Sequence, residues 1–205
     1  MKKLTTDEMN RLTVEEFREA EKLPLTVVLD NVRSQNNIGS IFRTSDAFRI
    51  EKICLCGICS TPPHRDIHKT ALGAEESVAW QYYETSAECL RALKADGYTL
   101  YAVEQVDDSI KLGELGSAPL WRQCENVGMC KCVSGAEAGV AVIFGNEVEG
   151  VDESLLPLCD ACLEIPQYGT KHSLNVSCAA AIVLWELSKI LNLKTNINHS
   201  NGETN

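Results

Sequence analysis

The chain has 205 residues, 44% of them hydrophobic and 23% charged, the balance of an ordinary soluble globular domain. A formal net charge of −10 argues against a generic nucleic-acid coat, and no apolar run approaches the ~20 residues of a membrane span, so no membrane partner is expected. The opening residues, Met1 to Glu8, turn acidic at once with no apolar stretch, so no secretory signal is visible and a cytoplasmic location is expected.

Residues 5–22 are polar and helix-prone, and Thr13-Val14-Glu15-Glu16 matches a capping box. Pro24 ends that segment, giving a helical extension over 1–24. LTVVLDN, 25–31, reads as a buried strand, and IGSIFRTSDAFRI, 38–50, as a helix with an apolar face at 38, 41, 42 and 48. KICLCG, 52–57, is a second strand, followed by a loop rich in turn residues through STPPHRDIHKTALGAEES. VAWQYY, 78–83, is strand-like, and TSAECLRALKADG, 85–97, is a helix that Gly97 closes. A strand at 98–105 then leads into 107–138, an irregular excursion with poor periodicity and several glycines. GVAVIFGNE, 139–147, is a buried strand running into a loop, DESLLPLC a short helix and ACLEIP a strand. The helix 173–193 is apolar almost all round, which implies burial on several sides, and a polar, disordered tail follows over 194–205. Strands alternating with helices predict an α/β fold, with a mostly parallel sheet flanked by helices over 25–193.

Ten cysteines raise the question of zinc, and Cys159 and Cys162 have the CxxC spacing. Zinc modules need two well-spaced pairs or added histidines, whereas Cys54 and Cys56 alternate within a strand, so structural, reduced cysteines and no metal are expected. The charge is unevenly spread. Residues 31–72 hold six basic residues against three acidic ones, a local positive face able to meet phosphate.

In an open α/β sheet, ligands bind beyond the C-terminal ends of strands. Three strand exits are rich in polar residues and glycine: DNVRSQNNIGSIFR, IFGNEVEGVD and IPQYGTKHSLNVS. Any one of them has a bland reading, Ser173 as a helix N-cap for instance. Neither GxGxxG nor GxxxxGK[ST] is present, which disfavours dinucleotide binding and NTP hydrolysis. Glycine loops with few charges suit a neutral or zwitterionic nucleotide-like ligand.

These three segments resemble the motifs of the SpoU/TrmH family of SPOUT methyltransferases, which methylate ribose 2′-hydroxyls in tRNA or rRNA. Asn37 to Arg43 is similar to the first motif (NxGxxxR), Phe144 to Gly150 to the second, and Ile165-Pro166 with Ser173 to Ala180 to the third. The resemblance implies a C-terminal deep trefoil knot, S-adenosyl-L-methionine as cofactor, a homodimer, and structured RNA as partner. It implies Arg43, Asn37, Glu147, Ser173 and Asn175 as catalytic residues. Cofactor contacts are implied for Val103, Gly145, Asn146, Gly150, Ile165, Gly169 and Leu174, the glycines allowing close backbone approach. Arg33, Arg49, Arg65, Lys69 and Lys171 are the expected RNA contacts, the first four on the side where Arg43 must face RNA. The amides and glycine ahead of Arg43 are expected to form a turn that sets the arginine over the cofactor loops of a partner subunit. The competing readings are a catalytically inactive RNA-binding knot protein and a small-molecule nucleotide-binding protein.

Overall fold

The computed structural model describes residues 2–5, 7–9, 11–117 and 139–200. The capping box at Thr13 opens α1 (Val14–Glu19) as the sequence suggests, with Thr13 Oγ1 accepting the Glu16 N–H and the Glu16 carboxylate accepting the Thr13 N–H. The chain then enters β1 (Leu23–Asp30), in which every residue from Leu25 to Asp30 is buried. Such a run, with no alternation, marks a central strand covered on both faces. Pro24 is tolerated because it stands at the strand's beginning, where a ladder N–H can be spared.

After α2 (Gln35–Ala47) come β2 (Ile50–Cys56), α3 (Arg65–Ala71), α4 (Ala74–Ser77) and β3 (Ala79–Tyr83). Next are α5 (Ser86–Ala95), β4 (Thr99–Val103) and the two-residue β5 (Ile110–Lys111). Beyond 118–138, the part of the excursion outside the described residues, lie β6 (Val140–Phe144), a 3₁₀ turn (Glu153–Leu158), β7 (Ala161–Glu164) and α6 (Val176–Ser200). The sheet runs β3-β2-β1-β6-β4-β7-β5 and all its pairings are parallel. Alternate residues feed two cores. Val27, Leu29, Ile53, Leu55, Val142 and Phe144 face α2, α3 and α6, while Val28, Cys54, Cys56, Ala141 and Ile143 face α5 and the 3₁₀ turn. Each of the valine, leucine, isoleucine and phenylalanine side chains among them contributes about 1.5–3 kcal/mol when fully buried.

Three expectations are corrected. The stretch read as a loop after β2 contains α3 and α4, because Ile67, Ala71 and Ala74 supply an apolar side that its turn residues obscured. Asn36, Asn37 and Gly39 do not form a turn: they are the first two turns of α2, whose N-cap is Ser34. The last helix starts at Val176, not 173, and continues to Ser200, since no glycine or proline follows Asn175 until Gly202. The cysteines of β2 behave as small apolar residues, with Cys54 and Cys56 buried together with Cys89 of α5. Burial pushes the Cys159 thiol up to about 12 and raises that of Cys162, so both remain protonated at neutral pH.

Gly39 allows α2 and α3 to touch. A Cβ there would stand 2.3 Å from the Ile67 carbonyl oxygen and 2.2 Å from Thr70 Oγ1. Helix propensity alone would make Gly39→Ala stabilising by about 1 kcal/mol. The backbone clash outweighs it, and we expect a net destabilisation of about 1–3 kcal/mol in urea unfolding. A stabilised variant would mean that the two helices are free to separate.

Candidate active site

The strand order reverses around β1, β6 and β4, and the crevice beyond their C-terminal ends is where an open α/β sheet binds ligands. A cavity of about 520 Å³ lies there. Its walls come from the exits of β4 (Val103–Gln105), β6 (Phe144–Gly150) and β7 (Leu163–Ile165), and from the approach to α6 (His172–Val176). Of the residues expected to hold a cofactor, Val103, Gly145, Asn146, Gly150, Ile165 and Leu174 line it. Gly169 does not: it is outside the lining, and a side chain there would meet nothing within 4 Å.

The loop after β6 is a tight hairpin built on its own chemistry. Asn146 and Gly150 exchange backbone hydrogen bonds of 3.1 and 3.2 Å, and Asn146 Oδ1 accepts the N–H groups of Val148 and Glu149, both at 2.8 Å. Gly150 takes φ +74°, the left-handed region that favours glycine. Gly145 has a stricter reason, since its Cβ would fall 1.9–2.1 Å from the backbone of Gly150 and Val151. Glu104, just past β4, accepts the Val151 N–H at 3.1 Å and thereby anchors the hairpin's far end. Sequence reasoning passed over Glu104, which falls inside the strand expected over 98–105; the structure ends that strand at Val103, and the acidic residue beside Val103 was the available signal.

Glu147 joins the exits. Its carboxylate accepts the N–H groups of Arg33 (3.2 Å) and Ser34 (3.1 Å) and the Asn37 amide (3.0 Å). It thus sits at the N-terminus of α2, where the unpaired N–H groups and the helix dipole favour an anion. Asn37 Oδ1 in turn accepts from the Asn175 amide at 3.2 Å. Asn175 Oδ1 accepts the Ser177 N–H at 2.9 Å, so Asn175, and not Ser173, caps α6. Ser173 lines the cavity beside Leu174. Asn37, Glu147 and Asn175 therefore form one hydrogen-bonded chain.

Arg43 stands apart from them. It is exposed on the outer side of α2, about 9 Å further along the helix than Asn37, and does not line the cavity of its own chain. Among the expected RNA contacts, Arg33 follows β1, Arg65 and Lys69 share the exposed side of α3, and Lys171 lies in the loop before α6; all four are exposed. Arg49 does not belong with them. It immediately precedes β2, at the opposite edge of the sheet, where its carbonyl accepts the Leu23 N–H.

Burial pushes the Glu147 carboxyl up, but the hydrogen bonds from Asn37 and from backbone N–H groups outweigh it and hold its pKa below the ordinary 4.5. A depressed folded-state pKa contributes stability above the ordinary value that is lost as the pH falls through the folded one. Glu147→Gln is therefore expected to lower the melting temperature at pH 7, with the gap to the unmodified protein closing below about pH 4. Thermal melts across that range check it; a gap of constant size would leave the charge without a role.

Residues 24–185 match the family model of the SpoU rRNA Methylase family. The chain is 31% identical over 182 residues to the tRNA (guanosine(18)-2′-O)-methyltransferase of Thermus thermophilus, covering 89% of this chain and 83% of that one. Its fold superposes on the TrmH/SpoU tRNA modifying enzyme of A. aeolicus with a TM-score of 0.70 at 22% identity, over 89% of this chain and 84% of that one. The AdoMet-bound rRNA methyltransferase of Sinorhizobium meliloti gives 0.67 at 23% identity, over 84% of this chain and 59% of the longer enzyme. With the family model spanning most of its length, the second and third motif segments lining one cavity and Asn37 of the first hydrogen-bonded to both, the chain belongs to the SpoU rRNA methylase family.

Proposed function

We propose that this protein transfers a methyl group from S-adenosyl-L-methionine to a ribose 2′-hydroxyl of a structured tRNA or rRNA, with Arg43 serving the cavity of a second copy. The observation that carries the reading is the Glu147–Asn37–Asn175 chain beside a glycine-floored cavity. The cavity fits the cofactor. Gly145 and Gly150 leave bare backbone where a side chain would intrude, Val103, Ile165 and Leu174 offer apolar walls to an adenine, and Glu104 and Glu149 add negative charge suited to a cationic ligand. When bound, S-adenosylmethionine supplies an electrophilic methyl group on a sulfonium.

The rest is work for the protein's own side chains. A ribose hydroxyl must be held in line and must lose its proton, which passes to bulk water. A guanidinium with a pKa above about 12 is a poor base at neutral pH, so Arg43 binds the adjacent phosphate and stabilises charge developing on the oxygen. Ser173 and Asn175, on the cavity rim, orient the hydroxyl. The intact Arg43, Glu147 and Asn175 leave the inactive RNA-binding reading without support.

A second copy is supported by what the fold leaves uncovered. Leu174, Ile182 and Trp185 are 41%, 42% and 54% exposed, and with Cys178 they make an apolar stripe from the cavity rim along α6. Trp185 also meets Phe48, at the end of α2, with ring centroids 5.8 Å apart. A symmetric dimer on this stripe would carry Arg43, on the neighbouring helix, towards the partner's cavity. A knot in the C-terminal half, and domain limits of 25–193, belong to the same reading.

The substrate grip must be local. Two copies carry about −20 in all, so Arg33, Arg65, Lys69 and Lys171 would supply the phosphate contacts. Among the described residues no helix is long and apolar enough to cross a membrane, and a tRNA or rRNA substrate points to the cytoplasm.

Transfer of tritium from labelled S-adenosylmethionine into RNA, followed by nucleoside analysis, tests the reaction; label on bases only would refute it. Arg43→Ala is expected to abolish transfer while keeping cofactor binding. Mixing it with the cofactor-dead Gly145→Val should restore about a quarter of wild-type activity, because half of the random dimers regain one complete site. No recovery in verified mixed dimers would place Arg43 on its own chain's cofactor.

A further inference from the structure

A second cavity, of about 500 Å³, lies away from the methyl-transfer site, at the corner between α3 and α4. Its lining includes Pro62, Arg65, His68, Glu75, Glu76 and Trp80. Consecutive left-handed residues, Leu72 (φ 55°) and Gly73 (φ 93°), turn the chain sharply between the two helices and fold Glu75 back onto His68. His68 Nδ1 and Glu75 Oε1 stand 2.5 Å apart.

The Glu75 side chain is only 8% exposed, yet its second oxygen, Oε2, is buried with no hydrogen-bond partner. An unsatisfied buried carboxylate oxygen is costly, and few survive in native structures without an ion, water or other group to meet them. The neighbouring cations do not answer it. Arg65 lines the same cavity but forms no ion pair with either carboxylate, and Arg18 spends its guanidinium on the backbone carbonyl of Glu76.

We propose that His68, Glu75 and Glu76 bind a divalent transition-metal ion of the zinc type. One donor atom from each lies within 4.8 Å of the others. Ligands on one zinc ion at about 2.0–2.2 Å stand roughly 3.4 Å apart, so rotamer adjustment of the exposed His68 and Glu76 around the buried Glu75 closes the set. One imidazole and two carboxylates suit zinc and its neighbours, whereas magnesium and calcium prefer oxygen ligands alone. Three protein ligands leave a fourth position open towards the cavity. The ion would join α3 to α4 across the left-handed corner and would give Glu75 Oε2 the partner it lacks. Cys159 and Cys162, where a zinc reading of the sequence first looks, take no part.

The test is calorimetric titration of zinc chloride into the full chain after chelator treatment, with a crystal of the zinc-treated protein for anomalous scattering. One ion per chain is expected, with affinity falling by about tenfold or more in His68→Ala and in Glu75→Gln and unchanged in Cys159→Ser. The anomalous peak should lie among His68, Glu75 and Glu76. Equal zinc affinity in the wild type and both ligand variants would overturn the proposal, as would a peak confined to cysteine sulfurs. Circular dichroism verifies that the variants remain folded, and the wild-type crystal decides the matter if they do not.

Discussion

The carboxylate of Glu147 at the N-terminus of α2 is the contact on which the arrangement of the site depends. It belongs to the exit of β6, and its partners belong to the exit of β1 and the start of α2. Through Asn37 the same contact reaches Asn175, which begins α6. Three loops distant in sequence are thereby fixed relative to one another by hydrogen bonds to a charged acceptor, the stronger class of such bonds. Without it, each loop would keep its own local structure but lose its register with the other two.

The same device recurs on the other side of the β6 hairpin. Asp30, buried at the end of β1, accepts the Asp152 N–H at 3.1 Å as well as the Ser86 hydroxyl at 2.5 Å. Glu104 accepts the Val151 N–H. Carboxylates at successive strand exits thus satisfy backbone donors of the loops and helix start that follow the sheet's C-terminal edge. The glycines do the complementary work. Gly145 lets the hairpin close on itself, and Gly39 lets α3 lie against α2, which in turn sets the side of α2 that displays Arg43.

Much of this was legible in the sequence because its signals are local. Unbroken apolar runs marked the central strands, and polar, glycine-rich exits marked the crevice that the cavity now occupies. What escaped depends on partners distant in the chain. The role of Gly39 rests on Ile67 and Thr70, neither of which periodicity can pair with it. Asn36 and Asn37 look like turn residues by propensity, but Ser34 caps a helix ahead of them and tertiary contacts override the preference. Arg49 was grouped with the other cations by proximity in sequence, although a whole helix separates it from the strand exits. The α3–α4 corner was hidden by the prolines ahead of α3 and by its own charges, and with it the meeting of His68 and Glu75.

The claim that one hydrogen-bonded chain organises the site is tested most directly by a double-mutant cycle between Asn37→Ala and Glu147→Gln, read as the rate of methyl transfer into RNA at saturating cofactor. If the two side chains act as a unit, the double variant should be no slower than the slower single one, a coupling of about 1–3 kcal/mol. Losses that simply multiply would mean that Asn37 and Glu147 contribute separately, and that the clamp does not set the geometry of the site.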